Sequence, residues 1–329
     1  MSSIIPVGIA GIGSYAPERV VPNAHFEEFL DTSDEWIVQR TGIKERRFVA
    51  AGENTSHMCL AAARKALEAA GVTGEELDMI IVGTVSPDQQ LPAVANLVQV
   101  GLGATKAACF DVNAACTGFL TSLVTAESFI AAGRARRVLV LGAETLSRFI
   151  DFTDRGSCIL FGDGAGAAVL MPHADCGQGE ILRSTMGSDG EGYSVIEMPA
   201  GGSGRPASHE TVEAREHFLK VHGRDVYRFA VAKIASLVRE MLEGHTLDEV
   251  SVVVPHQVNR RIIDSAVEKL DIPPEKVVIN IDRYGNTSAA SVPLALDEAL
   301  RDGRIEKDKL VIMAAFGAGL SWGGALVRW

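Results

Sequence analysis

Residues 108–118 read Ala108-Cys109-Phe110-Asp111-Val112-Asn113-Ala114-Ala115-Cys116-Thr117-Gly118. The first five of these residues form a short apolar run of the kind found in buried β-strands. A helix-like pattern follows from about residue 116 to 132 and ends at Gly133. The stretch therefore predicts a strand that ends just before a helix, with Cys116 at the junction.

Alternation of helix and strand runs through the chain twice. Both halves end with a glycine cluster, at 162–166 and at 317–319, followed by a final strand. Because parallel strands need crossover connections, the pattern predicts an α/β protein with parallel-rich sheets, built from two copies of one unit related by pseudo-two-fold symmetry. The predicted strands are 79–82, 108–112, 138–141 and 165–170 in the first half and 251–254, 277–281, 310–313 and 323–327 in the second. The predicted helices include 56–70 and 116–132 in the first half and 225–243, 259–270 and 287–300 in the second.

This repeat gives a domain prediction. Residues 1–172 form the first half, residues 173–222 a connecting strand and loop, and residues 223–329 the second half.

Composition narrows the class of protein. Of the 329 residues, 47% are hydrophobic and 22% are charged, as in a globular protein with a large core. No apolar run approaches the roughly 18–20 residues of a membrane span. The first residues, Met1–Val7, lack the basic start and apolar stretch of a secretory signal, so we expect a cytoplasmic location. The net charge of −11 argues against general nucleic-acid binding.

The five cysteines predict neither a disulfide framework nor a metal site. Their number is odd, they are scattered, and no C-x-x-C pair occurs. Cys116 alone has a strand-to-helix position, and the others are expected to behave as small core residues. These are Cys59, Cys109, Cys158 and Cys176.

Residues with reactive or polar side chains follow several predicted strands. Cys116 follows Val112, His256 follows the strand that ends at Val254, and Asn286 follows the strand 277–281. Ligands of open α/β sheets collect at the carboxyl ends of the strands, so these side chains are candidates for one site. A helix N-terminus would lower the pKa of the Cys116 thiol. Considered singly, each residue has a structural alternative: a core cysteine, a buried histidine, and a helix-capping asparagine.

The stretch Gly11-Ile12-Gly13-Ser14-Tyr15-Ala16 matches a dinucleotide-binding pattern. That pattern requires a helix to begin there, so that its N-terminus can hold a pyrophosphate. Pro17 and Pro22, with β-branched residues between them, disfavour such a helix. We therefore expect a turn between strands and no nucleotide cofactor.

Several motifs in order along the chain resemble those of β-ketoacyl-acyl-carrier-protein synthase III. The resemblance extends over nearly the whole length and implies the thiolase fold, in which duplicated βαβαβ-type halves form a five-layered α-β-α-β-α arrangement. The motifs are Asn113–Gly118, Val254–Asn259, Tyr284–Ser288 and Ala315–Gly323, with Thr41–Arg47 and Thr153–Gly156 in the first half.

The resemblance implies a decarboxylative Claisen condensation that starts fatty-acid synthesis. Cys116 would take the acyl group from an acyl-CoA. His256 and Asn286 would then stabilise the enolate formed from malonyl-acyl-carrier protein, in ping-pong order and without a cofactor. The backbone N–H groups of Cys116 and Ala318 would form the oxyanion hole, and Phe316 would shield the site from water. Where the family usually has glycine, this chain has Ala318, whose methyl group needs a permissive backbone angle.

Further residues match family positions outside the reaction centre. Trp36 and Arg155 would stack the adenine of CoA, and Thr32 and Arg40 would make other CoA contacts. An acidic carrier protein would dock on basic residues, of which Arg228 and Arg261 match the family. The resemblance also implies a homodimer, in which Leu91 reaches the acyl pocket of the partner. Because some relatives carry phenylalanine there, Leu91 suggests room for a longer or branched primer.

Other functions stay open at this stage. A Cys–His–Asn set also occurs in cysteine hydrolases, so a thioesterase is one alternative. A related condensing enzyme or acyltransferase of secondary metabolism, with a different acceptor, would keep every motif. A thiolase would need a second catalytic cysteine, and no cysteine follows Cys176. A non-catalytic scaffold would have lost one of the three candidate residues.

Overall fold

Two sets of strands with the same order and directions make up the main sheet of this computed structural model, which describes residues 4–329. Met1–Ser3, part of the segment compared above with a secretory signal, lie outside the described residues. The strands are β1 (Val7–Tyr15), β2 (Val20–Pro22), β3 (Glu45–Arg47), β4 (Met79–Gly83), β5 (Ala108–Val112), β6 (Val138–Glu144), β7 (Gly164–Pro172), β8 (Glu180–Ser188), β9 (Ile196–Glu197), β10 (Lys220–Val221), β11 (Val250–Pro255), β12 (Leu310–Gly317) and β13 (Ser321–Arg328). The helices are α1 (Ala24–Glu27), α2 (Asp34–Thr41), α3 (Thr55–Ala70), α4 (Val94–Leu102), α5 (Gly118–Ala131), α6 (His173–Cys176), α7 (His209–Glu213), α8 (Gly223–Leu242), α9 (Arg260–Glu268), α10 (Ile281–Tyr284) and α11 (Ser291–Arg301).

The sheet order shows the duplication directly. In the first set the order is β5-β4-β6-β7-β1, and in the second it is β11-β12-β13-β8. The two sets are joined by a single pairing, Gly8 with Glu180, so we refer to them as the first sheet and the second sheet. Beyond β11, Val277 makes an isolated parallel bridge to Val253, in the place that β5 occupies in the first set. The sequence repeat is therefore a repeat of topology.

Two details differ from the sequence-based prediction. The sheets are mixed, because the final strand of each set, β7 or β13, runs antiparallel to both of its neighbours. The second difference is that β8, within the predicted connecting segment 173–222, pairs along its length with β13 and belongs to the second sheet.

Helices cover and separate the two sheets in five layers. On the outer face of the first sheet lie α3 and α4, and on the outer face of the second lie α8 and α9. The two sheets sandwich α5 and α11, whose buried residues share one core with strands of both sets. The predicted α-β-α-β-α arrangement is confirmed. Since α5 begins just after Cys116, the nucleophile candidate lies at the end of the innermost layer.

The Gly11–Ala16 pattern lies within and at the end of β1, so the predicted turn is wrong. The outer face of β1 is covered by α3 at close range. A Cβ atom at Gly11 would lie 2.4 Å from the Ala66 carbonyl oxygen, and one at Gly13 would lie 2.5 Å from the Ala62 carbonyl oxygen. These glycines thus permit close packing of a helix on a strand.

Within residues 4–329, none of the helices combines the length and apolar character needed to cross a membrane.

The central layer should carry much of the stability. Leu123 of α5 is fully buried in the core between the sheets. We expect Leu123→Ala to lower the free energy of unfolding by about 2–5 kcal/mol, because it leaves a cavity in a close-packed region. Val212→Ala, at a side chain that is 62% exposed, is the control and should change it by less than about 0.5 kcal/mol. Urea unfolding of the two variants measures both, and equal effects would contradict the layered core.

Candidate active site

Cys116 lies in the short connection between β5 and α5, where the backbone has little freedom. It sits in a 3-10 turn, Ala115–Thr117, and the preceding Ala115 has a φ of 47°. A non-glycine residue in this region is strained, and such strain persists only where the surroundings enforce it. They do so here, because a Cβ atom at Gly317 of β12 would lie 2.8 Å from the Cys116 nitrogen. The second sheet thus packs directly against the turn that holds Cys116.

The electrostatic environment of Cys116 differs from the sequence-based expectation. Loss of solvent around the sulfur raises the pKa of Cys116 to about 12, and the nearby charge of Glu144 also favours the neutral thiol. The Ser288 side chain and the backbone N–H of Cys116 act on this pKa in the opposite direction but do not offset the loss of solvent around the sulfur of this half-buried residue. The expected lowered pKa is therefore wrong for the resting protein, and the thiol needs a proton acceptor before it can react.

His256 follows β11 directly and is fully buried. Its Nδ1 lies 2.6 Å from the Ser291 hydroxyl, which also lies 2.9 Å from the Ser288 carbonyl oxygen. Its Nε2 is buried without a hydrogen-bond partner in the protein, and the residue lines the cavity described below. Burial lowers the pKa of His256 to about 3, so the imidazole is neutral near neutral pH. A buried polar atom without a partner indicates a position kept for a ligand atom.

Asn286 reaches the site by a route that the sequence did not predict. Residues 277–281 do not form a strand: only Val277 bridges to the sheet, and α10 is a single helical turn. Asn286 itself makes a parallel bridge with Phe161 of the first half. Its side-chain Oδ1 accepts a hydrogen bond from the Ser288 backbone N–H at 2.9 Å. The oxygen thus serves the local turn, and the Nδ2 group is the part of the amide left to donate to a ligand.

Gln257 explains why the segment before Asn286 is not a strand. Its Nε2 donates to the Val278 carbonyl at 3.0 Å, and its Oε1 accepts from the backbone N–H groups of Asn280 and Ile281 at 3.0 and 3.2 Å. A buried side-chain amide therefore satisfies backbone groups that a sheet ladder would otherwise pair. Because Gln257 is adjacent to His256, it also connects the two candidate residues. Sequence reasoning did not assign it a role, although it lies in the quoted motif.

One cavity of about 630 Å³ brings the candidates together. Cys116, His256 and Asn286 line it with Phe316 and Ala318. Much of the remaining lining is apolar, as expected for a site that binds a hydrocarbon chain or a pantetheine arm. Other lining residues include Leu146, Leu160, Phe161, Ile196, Met198, Leu219, Val221, Val226 and Ile262.

The predicted connecting segment forms one wall of this cavity. The paired strands β9 and β10 supply part of this wall. The residues of the wall include Tyr193, Ile196, Glu197, Met198, Leu219 and Val221. Arg215 fixes the segment to the first half by two hydrogen bonds to the Asp151 carboxylate, of 2.8 and 2.5 Å. Arg215 beside Asp151 holds the pKa of that carboxyl well below its usual range. Sequence analysis gave this segment no part in the site.

Two further residues named with the resemblance, Ala318 and Phe316, line the same cavity. Ala318 does not have a positive φ, so its methyl group is accommodated without strain. Phe316 is buried, and its ring packs edge-on against His256 with centroids 5.6 Å apart. It therefore limits the movement of the imidazole.

The predicted CoA contacts form a separate cluster outside the cavity lining. The guanidinium carbons of Arg155 and Arg40 lie 4.8 and 5.3 Å from the Trp36 ring centroid. Arg155 also donates to the Asp31 carbonyl at 2.5 Å. The Thr32 hydroxyl is buried without a hydrogen-bond partner in the protein. An aromatic ring flanked by cations is a suitable surface for a purine and its phosphates.

The remaining candidates lie on the surface. Leu91 is 85% exposed and does not line the cavity of its own chain. Arg228 of α8 and Arg261 of α9 are exposed, and Arg228 forms an ion pair with Asp225 at 2.5 Å. The predicted roles of all three need a second molecule.

No three His, Cys, Asp or Glu side chains among residues 4–329 come together so that they could hold a metal ion.

Two family models and a curated relative that match this chain belong to one family. Residues 110–190 match the family model described as 3-oxoacyl-[acyl-carrier-protein] synthase III, and residues 242–329 match the one for its C-terminal part. The chain is 49% identical to the β-ketoacyl-[acyl-carrier-protein] synthase III of Caldanaerobacter subterraneus subsp. tengcongensis, over 100% of this chain and 99% of that relative.

Solved structures agree with this similarity. The 3-oxoacyl-[acyl-carrier-protein] synthase III of Aquifex aeolicus VF5 superposes with a TM-score of 0.89 at 43% identity, over 98% of this chain and 100% of that one. The priming β-ketosynthase of the R1128 polyketide biosynthetic pathway has a TM-score of 0.90 at 38% identity, over 100% of this chain and 98% of that one.

The ionisation of Cys116 can be measured without any substrate. Because loss of solvent raises its pKa to about 12, the wild type should show no more thiolate absorbance in the ultraviolet than Cys116→Ala between about pH 6 and about pH 9. An exposed cysteine, with a pKa of about 8.5, would ionise within this range. Subtracting the absorbance of the variant from that of the wild type removes the contribution of the other cysteines. A sigmoidal rise of this difference below about pH 9 would contradict the raised pKa of Cys116.

Proposed function

The chain belongs to the 3-oxoacyl-[acyl-carrier-protein] synthase III family and performs its condensation of an acyl-CoA with malonyl-acyl-carrier protein; we propose that it does so in two half-reactions through Cys116. The observation that carries this proposal is the convergence of Cys116, the orphaned Nε2 of His256 and the free amide of Asn286 on one largely apolar cavity. The product would be a β-ketoacyl-acyl-carrier protein, together with CoA and CO₂.

In the first half-reaction the Cys116 sulfur attacks the thioester carbon of the acyl-CoA. The carbonyl oxygen becomes an oxyanion held by the backbone N–H groups of Cys116 and Ala318, each worth roughly 3–4 kcal/mol in the transition state. Collapse of the intermediate breaks the bond to the CoA sulfur, so that CoA leaves and the acyl group stays on Cys116. A thioester to cysteine remains electrophilic towards carbon, which the next step requires.

In the second half-reaction malonyl-acyl-carrier protein enters the same cavity. The thioester oxygen accepts hydrogen bonds from His256 Nε2–H and Asn286 Nδ2–H, which stabilise the enolate as the carboxylate leaves as CO₂. The enolate carbon attacks the acyl carbonyl, and the Cys116 sulfur is expelled. The carbanion comes from loss of CO₂, so no base is needed to remove a carbon-bound proton.

Ser291 would decide which nitrogen of His256 carries the proton. A neutral imidazole can donate from Nε2 only if Nδ1 is unprotonated. The single Ser291 hydroxyl proton, which lies within reach of both Nδ1 and the Ser288 carbonyl oxygen, would then have to be donated to Nδ1 and not to that carbonyl. The low pKa of His256 keeps the ring neutral, so a donor is available at Nε2 without an imidazolium charge in the cavity. Ser291 is a positioning residue in this proposal.

Binding of the two substrates would use different surfaces. Trp36 and Arg155 would stack the adenine of CoA, with Thr32 and Arg40 as further contacts, since the cluster of ring and guanidinium groups supports such a role. An acidic carrier protein would dock beside the exposed Arg228 and Arg261. The protein as a whole is acidic, with a net charge of −11, so these local cations would guide the carrier electrostatically.

We further propose a cytoplasmic homodimer in which Leu91 contacts the partner subunit. Support for the contact is the 85% exposure of this apolar side chain. A leucine at that position favours primers longer or more branched than acetyl. Sedimentation analysis tests the dimer, and a monomer at micromolar concentration would contradict it.

A second candidate acceptor can be tested by kinetics. The likeness to a priming β-ketosynthase of a polyketide pathway favours a carrier protein of secondary metabolism as the alternative acceptor. Kinetics with carrier proteins of both kinds would separate the two. A thioester hydrolase is the chemical rival, and it would release free acid with no CO₂.

Single substitutions should divide the two half-reactions. Cys116→Ala should abolish transfer of the acyl group from CoA to the protein. His256→Ala and Asn286→Ala should reduce CO₂ release by about 100- to 1,000-fold, because each removes one enolate donor, and should spare acylation more than condensation. Intact-protein mass and release of labelled CO₂ measure the two steps. Normal acylation of Cys116→Ala, or equal loss of both steps in the other two variants, would contradict these roles.

The proposed contact of Trp36 with the adenine of CoA can be tested separately. Loss of base stacking costs about 1–3 kcal/mol, so Trp36→Ala should raise the KM for an acyl-CoA roughly 5- to 150-fold. An acyl-pantetheine lacks the nucleotide, and its kcat/KM should stay unchanged. A similar loss for both substrates would show that Trp36 acts on the fold of the site.

A further inference from the structure

Glu144, at the end of β6, is a buried carboxylate whose charge acts on the Cys116 thiol, and neither half-reaction above uses it. Its side chain is completely shielded from solvent, and no Lys, Arg or His among residues 4–329 forms an ion pair with it. Burial of a carboxylate without a cation is costly and needs compensation by hydrogen bonds. A carboxylate kept near a reactive thiol at this cost indicates a role in the chemistry of that thiol.

The hydrogen bonds around Glu144 come from two elements. Its Oε2 accepts from the Ser86 hydroxyl at 2.5 Å, and the backbone N–H of Val85 lies 3.3 and 3.2 Å from the two oxygens. The Thr84 hydroxyl is more distant, at 3.4 Å. From the second half of the chain, the Ser288 hydroxyl donates to Oε1 at 3.1 Å.

Ser288 connects this carboxylate to the nucleophile. The turn that it begins, Ser288–Ala290, packs against the turn Ala115–Thr117 that holds Cys116, and both residues line the cavity. Ser288 adopts a φ of 48°, which is unfavourable for serine, and its backbone N–H is held by Asn286 Oδ1. Strain of this kind costs of order 1–3 kcal/mol and commonly marks functional positions. Here it places one hydroxyl on a buried carboxylate, at the cavity that Cys116 also lines.

We propose that Ser288 and Glu144 form a proton relay that removes the Cys116 thiol proton during acyl transfer and returns it after condensation. This inference rests on the proposed role of Cys116 as acyl carrier. As the sulfur lone pair forms the bond to the thioester carbon, the thiol proton passes to Ser288 Oγ, and the Ser288 proton passes to Glu144 Oε1. The carbon–sulfur bond to CoA then breaks, and the CoA thiolate takes its proton from solvent.

The second half-reaction resets the relay. When the enolate attacks the acyl group, Cys116 leaves as a thiolate. Glu144 gives its proton to Ser288, and Ser288 gives its own to the thiolate, so thiol and carboxylate are restored. The complete cycle consumes one solvent proton and releases one CO₂, which balances the reaction of malonate carboxylate, acyl thioester and free CoA.

Basicity favours Glu144 over His256 as the acceptor. Burial raises the pKa of Glu144 to about 7, with its hydrogen bonds opposing the shift, whereas burial lowers the pKa of His256 to about 3. Near neutral pH both groups are available as bases, but the carboxylate binds a proton far more strongly. A general base is most effective when its pKa lies near the working pH.

Few other titratable groups influence this relay. The charge of Glu144 acts on the thiols of Cys116 and Cys59, and loss of solvent raises the pKa of both, so both are neutral at pH 7. Asp88 and Asp111 also act on Cys59, from the elements that pack against it. The groups that contact Glu144 itself, from residues 84–86 and 288, are hydroxyls and one backbone N–H. An ionisation near pH 7 that controls acylation therefore belongs to Glu144.

The test is the rate of Cys116 acylation against pH, measured by rapid quench and intact-protein mass with an acyl-CoA. In the wild type the rate should rise with pH as Glu144 loses its proton, with a midpoint near its pKa of about 7, and then level off. Glu144→Gln should be slower by about 100-fold or more and lose this rise, because an amide cannot accept the proton. Ser288→Ala should behave in the same way.

Two further variants separate a relay from a structural role. Glu144→Asp keeps the carboxylate and should retain the sigmoidal profile at a reduced rate. Glu127→Gln is the matched control: Glu127 is also a carboxylate whose pKa burial raises and which accepts from a serine hydroxyl, Ser184 at 2.5 Å. It should keep the wild-type rate within twofold.

The outcomes are distinct. A Glu144→Gln protein that acylates at the wild-type rate, or slowly but with the wild-type pH profile, overturns the relay. A slow and pH-independent Glu144→Gln, with Glu127→Gln unaffected, supports it. If the wild type itself gains no acyl mass on Cys116, the proposed function fails, and this result is recognisable before any variant is compared.

Discussion

The close approach of two backbones at Cys116 is the constraint on which the site depends. Gly317 of β12 lies so near the Cys116 nitrogen that any side chain there would collide with it, and Gly83 of β4 meets Gly118 in the same way from the first sheet, at 2.3 Å for a Cβ atom. The start of α5 is therefore closely packed between strands of both sheets. Rigid placement of Cys116 follows from this packing, as does its proximity to the second-half residues that are proposed to act on the same acyl group.

A network of short polar contacts then sets the orientation of each reactive group. Ser288 donates to Asn286 through its backbone N–H and to Glu144 through its hydroxyl, while Ser291 contacts His256. Gln257 ties the turn after β11 to the segment that leads to Asn286. Burial gives these groups their chemistry: the imidazole stays neutral, the thiol stays protonated, and the carboxylate has a pKa close to neutral. The same low-dielectric surroundings strengthen each hydrogen bond to a developing charge.

The sequence predicted the parts of this site that depend on local pattern. The strand before Cys116 and the strand before His256 are short apolar runs, and the rule on carboxyl strand ends then selects both residues. The strand prediction failed at 277–281, where the Gln257 side chain takes the place of a neighbouring strand as the hydrogen-bond partner of the backbone. The effect of a side chain on a distant backbone segment has no local sequence signature. Glu144 was missed although it ends the strand that begins at Val138, and applying the strand-end rule to β6 would have drawn attention to it. Its partner Ser288 is 144 residues away, and no pattern in one sequence links them. The cavity wall from the connecting segment was missed for the same reason.

The central claim is that one acyl group passes through Cys116 and ends on carbon. The most direct measurement is a chase: the protein is first incubated with a panel of acyl-CoAs and weighed intact, and malonyl-acyl-carrier protein is then added. We expect a mass gain of one acyl group on Cys116, its loss on addition of the second substrate, and one CO₂ and one β-ketoacyl-carrier product for each acyl group lost. Release of the acyl group as free acid without CO₂, or a mass gain that persists through the chase, would contradict it.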